Sequence, residues 1–334
     1  MREEIIASNE AGQRLDKYLK KYLHAAPGSF IYKMLRKKNI TLNKKKADGT
    51  EKLGIGDRIV FFLSDETLTK FHGTYENLAH TQEADNYEKA YYLLKNRFAI
   101  IYEDENILLI NKSAGVLSQK AKETDISLNE ALIGYLLIAN AIDIKILQTF
   151  KPSVCNRLDR NTSGLIICGK SLSGLQTMST LLRERTMHKY YHCIVDGVMT
   201  TESHLTGYIS KNEITNKVTI YQEKMPDSEP IITNYKPLEN NNKVTLLEVE
   251  LVTGKTHQIR AHLASIGYPI VGDYKYGRKG INDIYKEKFL VKHQLLHAYR
   301  IEFPEIKDVC CNLSNQVFYA DQPVIFQKIM EDCK

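Results

Sequence analysis

Apolar positions along this chain recur with helical spacing in some stretches and with strand spacing in others. In RLDKYLKKYL (14–23), Leu15, Tyr18, Leu19, Tyr22 and Leu23 form one apolar helical face, with Lys17, Lys20 and Lys21 on the other. Pro27-Gly28 ends that pattern, and Ser29 is placed to cap a second short helix. There Ile31, Met34 and Leu35 face inward while Lys33, Arg36 and Lys37 face out. Ile40-Thr41-Leu42 reads as a strand, 43–49 as a basic turn and 59–63 as a closing strand. Residues 64–96 are polar and read as a linker with one short helix.

A second pattern begins at Phe98. AIIYE (99–103) and NILLIN (106–111) are short apolar strands around an acidic turn, and Lys112-Ser113-Ala114-Gly115 ends the second. Leu128, Leu132, Tyr135 and Leu136 give helical spacing over 127–140; another helix is expected over 173–184, and strands over 190–195 and 244–251. Regular strand–helix–strand alternation is scarce, which favours a mixed, largely antiparallel α+β fold over a doubly wound sheet. The stretch SVCNRLDRNTSGLIICGKS (153–171) sets Arg157, Asp159 and a Thr-Ser-Gly turn just ahead of an apolar strand. From these residues alone two readings stay open: a turn with a structural ion pair, or a catalytic carboxylate delivered to a cleft.

Composition narrows the partners. The 334 residues suffice for two domains of ~100–200 residues each. No apolar run nears the ~18 residues of a membrane helix, and 1–9 lacks the pattern of a signal peptide. Cys155, Cys168, Cys193, Cys310, Cys311 and Cys333 show no CxxC spacing, so neither zinc nor disulfides are expected and a reducing cytoplasm fits best. The net charge is +6, and the first 65 residues, with 14 Lys and Arg against 8 Asp and Glu, carry all of it. An anionic partner is expected for that part, nucleic acid ahead of a membrane surface.

Three further motifs bear on chemistry. GLIICGKS (164–171) fits the phosphate-loop pattern to the letter, but Leu-Ile-Ile-Cys is a strand sequence where that motif needs an open loop. In KYYHCIVDG (189–197), alternation sends Tyr190 and Tyr191 to opposite faces. In TGKTHQIRAH (253–262), Ile259 and Leu263 bury one helical face and leave Arg260 for a carboxylate or phosphate; His257 and His262 lack a ligand-like partner for zinc. PIVGDYKYG (269–277) and LHA (296–298) complete the polar turns.

The N-terminal pattern, GQRLDKYLKKYL with the Ser29–Lys38 stretch, the Asn43-Lys44 turn and Gly56-Asp57, resembles the small αL RNA-binding domain first known from a ribosomal protein, the S-four type. YEDE, NKSAG, NRLDRNTSG, KYY…VDG, TGKTHQIRAH, PIVGDYKYG and LHA, in that order, resemble the pseudouridine synthases of the large ribosomal-RNA type. The resemblance implies an RNA-binding domain over 12–63, a linker over 64–96 and a catalytic α+β domain of the pseudouridine synthase fold over 97–331. It implies isomerisation of uridines in RNA, foremost large-subunit ribosomal RNA, without cofactor or metal, by a cytoplasmic monomer with no membrane partner. Asp159 matches the family's nucleophile, Arg157 a residue handling the flipped-out nucleotide, and Tyr191 a tyrosine that stacks on uracil and is a candidate to take the proton from carbon 5. Arg260 matches the partner of the aspartate and Ile259 an apolar neighbour of the base, with His257 and Lys255 on the substrate side. Lys33, Arg36, Lys37 and Lys44 would contact RNA phosphates. The chain departs from the family pattern at Asn156 (usually His), Lys255 (Arg) and Ser113 (Pro), where altered RNA contacts but retained activity are expected. The alternative is a non-catalytic RNA-binding ribosome-assembly factor that keeps the fold.

Overall fold

A computed structural model describes residues 1–7, 10–72, 77–307 and 309–332. Its first unit comprises β1 (Arg2–Ile5), α1 (Leu15–Tyr22), α2 (Gly28–Arg36), β2 (Ile40–Leu42), β3 (Lys45–Lys46) and β4 (Arg58–Phe61). The strands form an antiparallel sheet in the order β1-β4-β2-β3. Leu15, Leu19, Ile31, Leu35, Ile40, Ile59 and Phe61 make a closed core beneath the two helices. The helix expected to be capped by Ser29 starts at Gly28 instead, with Pro27 at the cap position. A proline has its φ already set for such a start, and Ser29 falls inside the first turn. The basic turn is tighter than expected. Asn43 and Lys44 take φ of 50° and 63°, the two left-handed residues of a hairpin turn, so Lys45 and Lys46 already pair with β2.

The stretch expected to be a linker holds two helices, α3 (Asp65–His72) and α4 (Asn77–Leu94); residues 73–76 lie outside those described. Leu68 and Phe71 of α3 pack onto the first core. The inward face of α4, with Tyr87, Ala90, Tyr91 and Leu94, is blurred in the sequence by exposed Tyr92 and Leu93 next to it. Its seat depends on its neighbour: a Cβ on Gly134 would lie 2.0 Å from the Tyr87 carbonyl oxygen, so glycine alone admits α4 this close.

The second unit runs β5 (Phe98–Glu103), β6 (Ile107–Lys112), α5 (Leu128–Ile138), β7 (Ser153–Val154), β8 (Ser163–Gly169), α6 (Leu172–Glu184) and β9 (His188–Asp196). It continues with β10 (Ser203–Asn212), β11 (Lys217–Tyr221), β12 (Glu229–Asn240), β13 (Val244–Leu251), α7 (Gln258–Ser265) and α8 (Lys279–Phe289). β14 (Leu296–Glu302), β15 (Val317–Tyr319) and α9 (Val324–Glu331) close it. Eleven strands form one sheet in the order β11-β10-β12-β13-β9-β14-β8-β6-β5, with β15 on β14 and β7 on β8. Among the strands of the described residues only β14 and β8 pair in parallel, so the fold is mixed α+β and largely antiparallel. Gly164 permits that central pairing, since a Cβ there would sit 2.2 Å from the Ala298 carbonyl oxygen.

Leu165–Cys168 is fully buried in the sheet, and the ammonium of Lys170 bonds Glu103 and the Asp104 carbonyl, both at 2.6 Å. The phosphate-loop pattern is therefore a strand and a helix cap: Ser171 accepts from the Gly174 N–H to start α6. The five described cysteines are free thiols; Cys333 lies outside the described residues. Among the described residues no helix is long and apolar enough to cross a membrane.

Candidate active site

The loop between β7 and β8 carries Asp159, and hydrogen bonds fix it on both sides. Asn156 bridges back to β8, donating to the Leu165 carbonyl at 3.3 Å and accepting from the Ile167 N–H at 2.8 Å. The Ser118 hydroxyl donates to the Leu158 carbonyl at 2.8 Å. Beyond the aspartate, the Arg160 carbonyl accepts from Gly115 N–H at 2.8 Å and from the Lys112 ammonium at 3.3 Å. An amide at 156 serves this bridging without any titratable group, which accounts for Asn at a position where histidine was the family expectation.

Asp159 lies at a cavity of about 470 Å³ with its carboxylate 28% exposed, accessible but not solvated on all sides. Arg260 donates from Nη1 to Asp159 Oδ2 at 2.8 Å. The rest of that guanidinium is taken by Asp273, with Nε to Oδ2 at 2.7 Å and Nη2 to Oδ1 at 3.0 Å. Asp273 is buried and also accepts from the Lys275 and Tyr276 N–H groups, so the fork cannot turn. Burial pulls the Arg260 pKa down, but the bonds to Asp273 and Asp159 outweigh it and hold it above its ordinary value. Arg260 therefore presents a permanent cation to Asp159.

α7 aims this arginine. Its chain enters through His257 in a left-handed conformation (φ 53°), and buried Ile259 and Leu263 anchor it as the spacing predicts. Gln258 ties the preceding turn down, bonding Thr253, Thr233 and the Ile232 carbonyl. His257 points Nε2 toward Asp159 Oδ2 at 3.9 Å and holds Nδ1 2.9 Å from the Tyr276 hydroxyl. Burial lowers its pKa, with the charge of Asp159 opposing, so the ring is neutral at pH 7. Lys255 forms an ion pair with Glu229 at the rim.

Tyr191 lines the same cavity from β9, opposite Val249 and Ala298. Its neighbour Tyr190 faces the other way, under the guanidinium of Arg300 at 3.7 Å, as strand alternation requires. Burial first, then the charge of Asp159, raises the Tyr191 pKa, which keeps the phenol protonated. Such a group offers a ring face and a hydrogen-bond donor rather than a ready base. Lys112, beneath the loop, is fully buried and donates to the carbonyls of Ser113, Val116 and Arg160. Burial pulls its pKa down to about 7 against the charge of Asp159.

Asp159, Tyr191, Arg260, Arg157, Ile259, His257 and Lys255 thus line one cavity, although they come from three separate motifs. Lys33, Arg36, Lys37 and Lys44 are exposed on α2 and the β2–β3 hairpin and do not line it. Sequence reasoning assigned no role to Asp273 or Lys189. Asp273 sat in a quoted motif, PIVGDYKYG, and a lone buried acid following a strand was the available signal. Among the described residues no cluster suited to a metal ion is present.

The profile of the RNA pseudouridylate synthase family matches residues 106–265, which span the loop of Asp159, Tyr191 and Arg260. The chain is 30% identical over 299 residues to the ribosomal large subunit pseudouridine synthase C of Vibrio cholerae, covering 89% of this chain and 87% of the relative. It is 28% identical over 312 residues to an uncharacterized RNA pseudouridine synthase of Mycoplasma genitalium, covering 91% and 89%. Among solved structures, human RNA pseudouridylate synthase domain containing 4 superposes with a TM-score of 0.56 at 19% identity, over 74% of this chain and 95% of that one.

Proposed function

The chain belongs to the RNA pseudouridylate synthases, an isomerase family, and from that premise we propose that Asp159 is the nucleophile acting on a flipped-out uridine of large-subunit ribosomal RNA. The observation that carries this reading is the carboxylate of Asp159, open to the cavity and held by a guanidinium that Asp273 immobilises. Uridine becomes pseudouridine when its glycosidic N–C bond is cleaved, the base turns, and carbon 5 joins the sugar while its hydrogen leaves as a proton and the freed nitrogen 1 takes one up. Atoms are rearranged without redox change. A carboxylate that attacks and later leaves splits this into two easier steps, provided that it is ionised. The guanidinium of Arg260 orients that carboxylate by donating to its Oδ2 at 2.8 Å.

A stacked base cannot reach Asp159, so the target must leave its helix and lose stacking that the protein replaces. The ring of Tyr191 and the side chain of Ile259 supply apolar surface for it, and Arg157 at the same cavity handles the displaced nucleotide. The protonated phenol suits contact and hydrogen-bond donation to uracil. The Asp159 carboxylate, once released, lines the same cavity and can accept the carbon-5 proton. Residues 12–63 act as the RNA-docking domain, with Lys33, Arg36, Lys37 and Lys44 on phosphates, and 97–331 as the catalytic domain. That the Vibrio cholerae relative is a ribosomal large subunit pseudouridine synthase favours ribosomal over transfer RNA as the substrate.

The test is tritium release from RNA labelled at carbon 5 of uracil, with wild type and Asp159→Asn side by side. Release by the wild type alone is expected, with RNA affinity of the variant within a few-fold. Turnover by Asp159→Asn would remove this residue from the chemistry. No release by either protein, on ribosomal and transfer RNA alike, would favour the binding-factor reading.

A further inference from the structure

The cations around the cavity differ in what they are bonded to. Arg260 is committed to Asp159 and Asp273, Lys255 to Glu229, and Arg183 lies 3.7 Å from Glu184. Arg157, Arg185 and Lys189 line the same cavity, yet among the described residues their side chains form no hydrogen bond or ion pair. Lys189 is the most exacting case because it is half-buried. A desolvated ammonium without an anion costs free energy that the fold does not recover by itself. Burial, and then the nearby charge of Arg185, lower its pKa accordingly.

Position says which anion would complete it. Lys189 precedes Tyr191 by two residues on β9, so both side chains leave the same face of the strand, spaced by roughly 7 Å. Tyr191 reaches the cavity beside Asp159, and Lys189 stands on the same wall one step along. Arg185 ends α6 in a left-handed conformation (φ 58°), which turns the chain toward β9 and sets its guanidinium beside Lys189. A base seated between Tyr191 and Asp159 remains tethered to its sugar and to a phosphodiester, and a nucleotide spans that distance. The adjoining turn is also open: a Cβ on Gly254 would come only to 3.9 Å from the Lys189 ammonium.

We propose that Lys189 and Arg185 form a phosphodiester-binding subsite that grips the RNA backbone at the nucleotide whose base enters the cavity. The proposal rests on the reading of this cavity as the uridine-isomerising site. Each cation replaces a counterion on the phosphate, so each adds to the salt dependence of binding and neither takes part in bond making.

The experiment measures RNA affinity from low to moderate salt, together with tritium release, for full-length wild type, Lys189→Ala, Arg185→Ala, Lys189→Arg and Gly254→Asp. Each alanine variant should lower the slope of log affinity against log salt by about one and raise KM with kcat little changed. Lys189→Arg should restore the wild-type slope. Gly254→Asp, which supplies a carboxylate beside an intact Lys189, should mimic the alanine variant. The thermal midpoint of Lys189→Ala should equal or exceed that of wild type, as removal of an unpaired cation requires. Unchanged slopes in both alanine variants while wild type releases tritium would overturn the subsite, as would a loss confined to kcat. If wild type releases no tritium, the underlying reading fails, and the placement at the flipped nucleotide with it, whatever the slopes.

Discussion

At the scale of single residues, one guanidinium serving two carboxylates dominates the site. Asp273 does not line the cavity; it is buried and positions Arg260 through two hydrogen bonds. Asp273→Asn should therefore destabilise the fold by about 3 kcal/mol, the cost of breaking one side of a buried pair. It should also slow single-turnover isomerisation without changing RNA affinity, because Arg260 could then swivel. Denaturant melts and single-turnover assays check the two halves. The buried histidines set a second expectation. His297 bonds the Ser163 hydroxyl through Nδ1 and the Ala320 carbonyl through Nε2–H, and His192 stacks on Tyr299 with ring centroids 3.9 Å apart. Burial pulls the pKa of each down to about 4. In the unfolded chain both titrate near the ordinary ~6.5, so between those values the unfolded state binds more protons. Stability is thus fully present above pH 6.5 and is lost as pH falls toward 4, by up to about 3 kcal/mol per histidine. Melting curves across that range should show the loss, and His297→Asn should reduce it.

At the scale of elements, the cations of α2 and the β2–β3 hairpin are exposed and are not part of the cavity lining. Neutralising Lys33, Arg36, Lys37 and Lys44 together should reduce the salt slope of RNA binding by about three while leaving kcat at saturating RNA intact. An unchanged slope would remove α2 from the docking surface. Strong periodicity made such elements legible: Leu15 through Leu23 declared α1, and Leu165–Cys168 declared the buried strand that disqualified a phosphate loop. What stayed hidden depended on long-range geometry. Helix α4 presents Tyr87, Ala90, Tyr91 and Leu94 to its neighbour, but exposed Tyr92 and Leu93 blur that spacing, and it relies on Gly134 of α5 for its seat. The pairing of Arg260 with Asp273 joins residues 13 apart around a turn that no spacing rule describes. That Lys189 has no hydrogen-bond or ion-pair partner among the described residues depends on the surroundings the fold gives it, which no local spacing records. The motif residues lining the cavity were legible because three polar motifs, each flanked by apolar strands, could be seen individually.

At the scale of the whole molecule, the two cores meet through more than a covalent connection. The Lys21 ammonium donates to the Thr149 carbonyl at 2.8 Å, and the Thr149 hydroxyl bonds Glu10, so the first unit touches the loop that leads to β7. Alongside, α4 lies against α5 where a linker with one short helix was expected. A tether would let the basic surface search a volume around the cavity, so that many separations between docking point and target uridine would serve equally. A braced connection makes the protein a measuring rule. On the proposed function, an RNA is selected by the distance and angle between the helix that α2 grips and the uridine offered to Asp159, and sequence around that uridine can matter less than the shape that presents it.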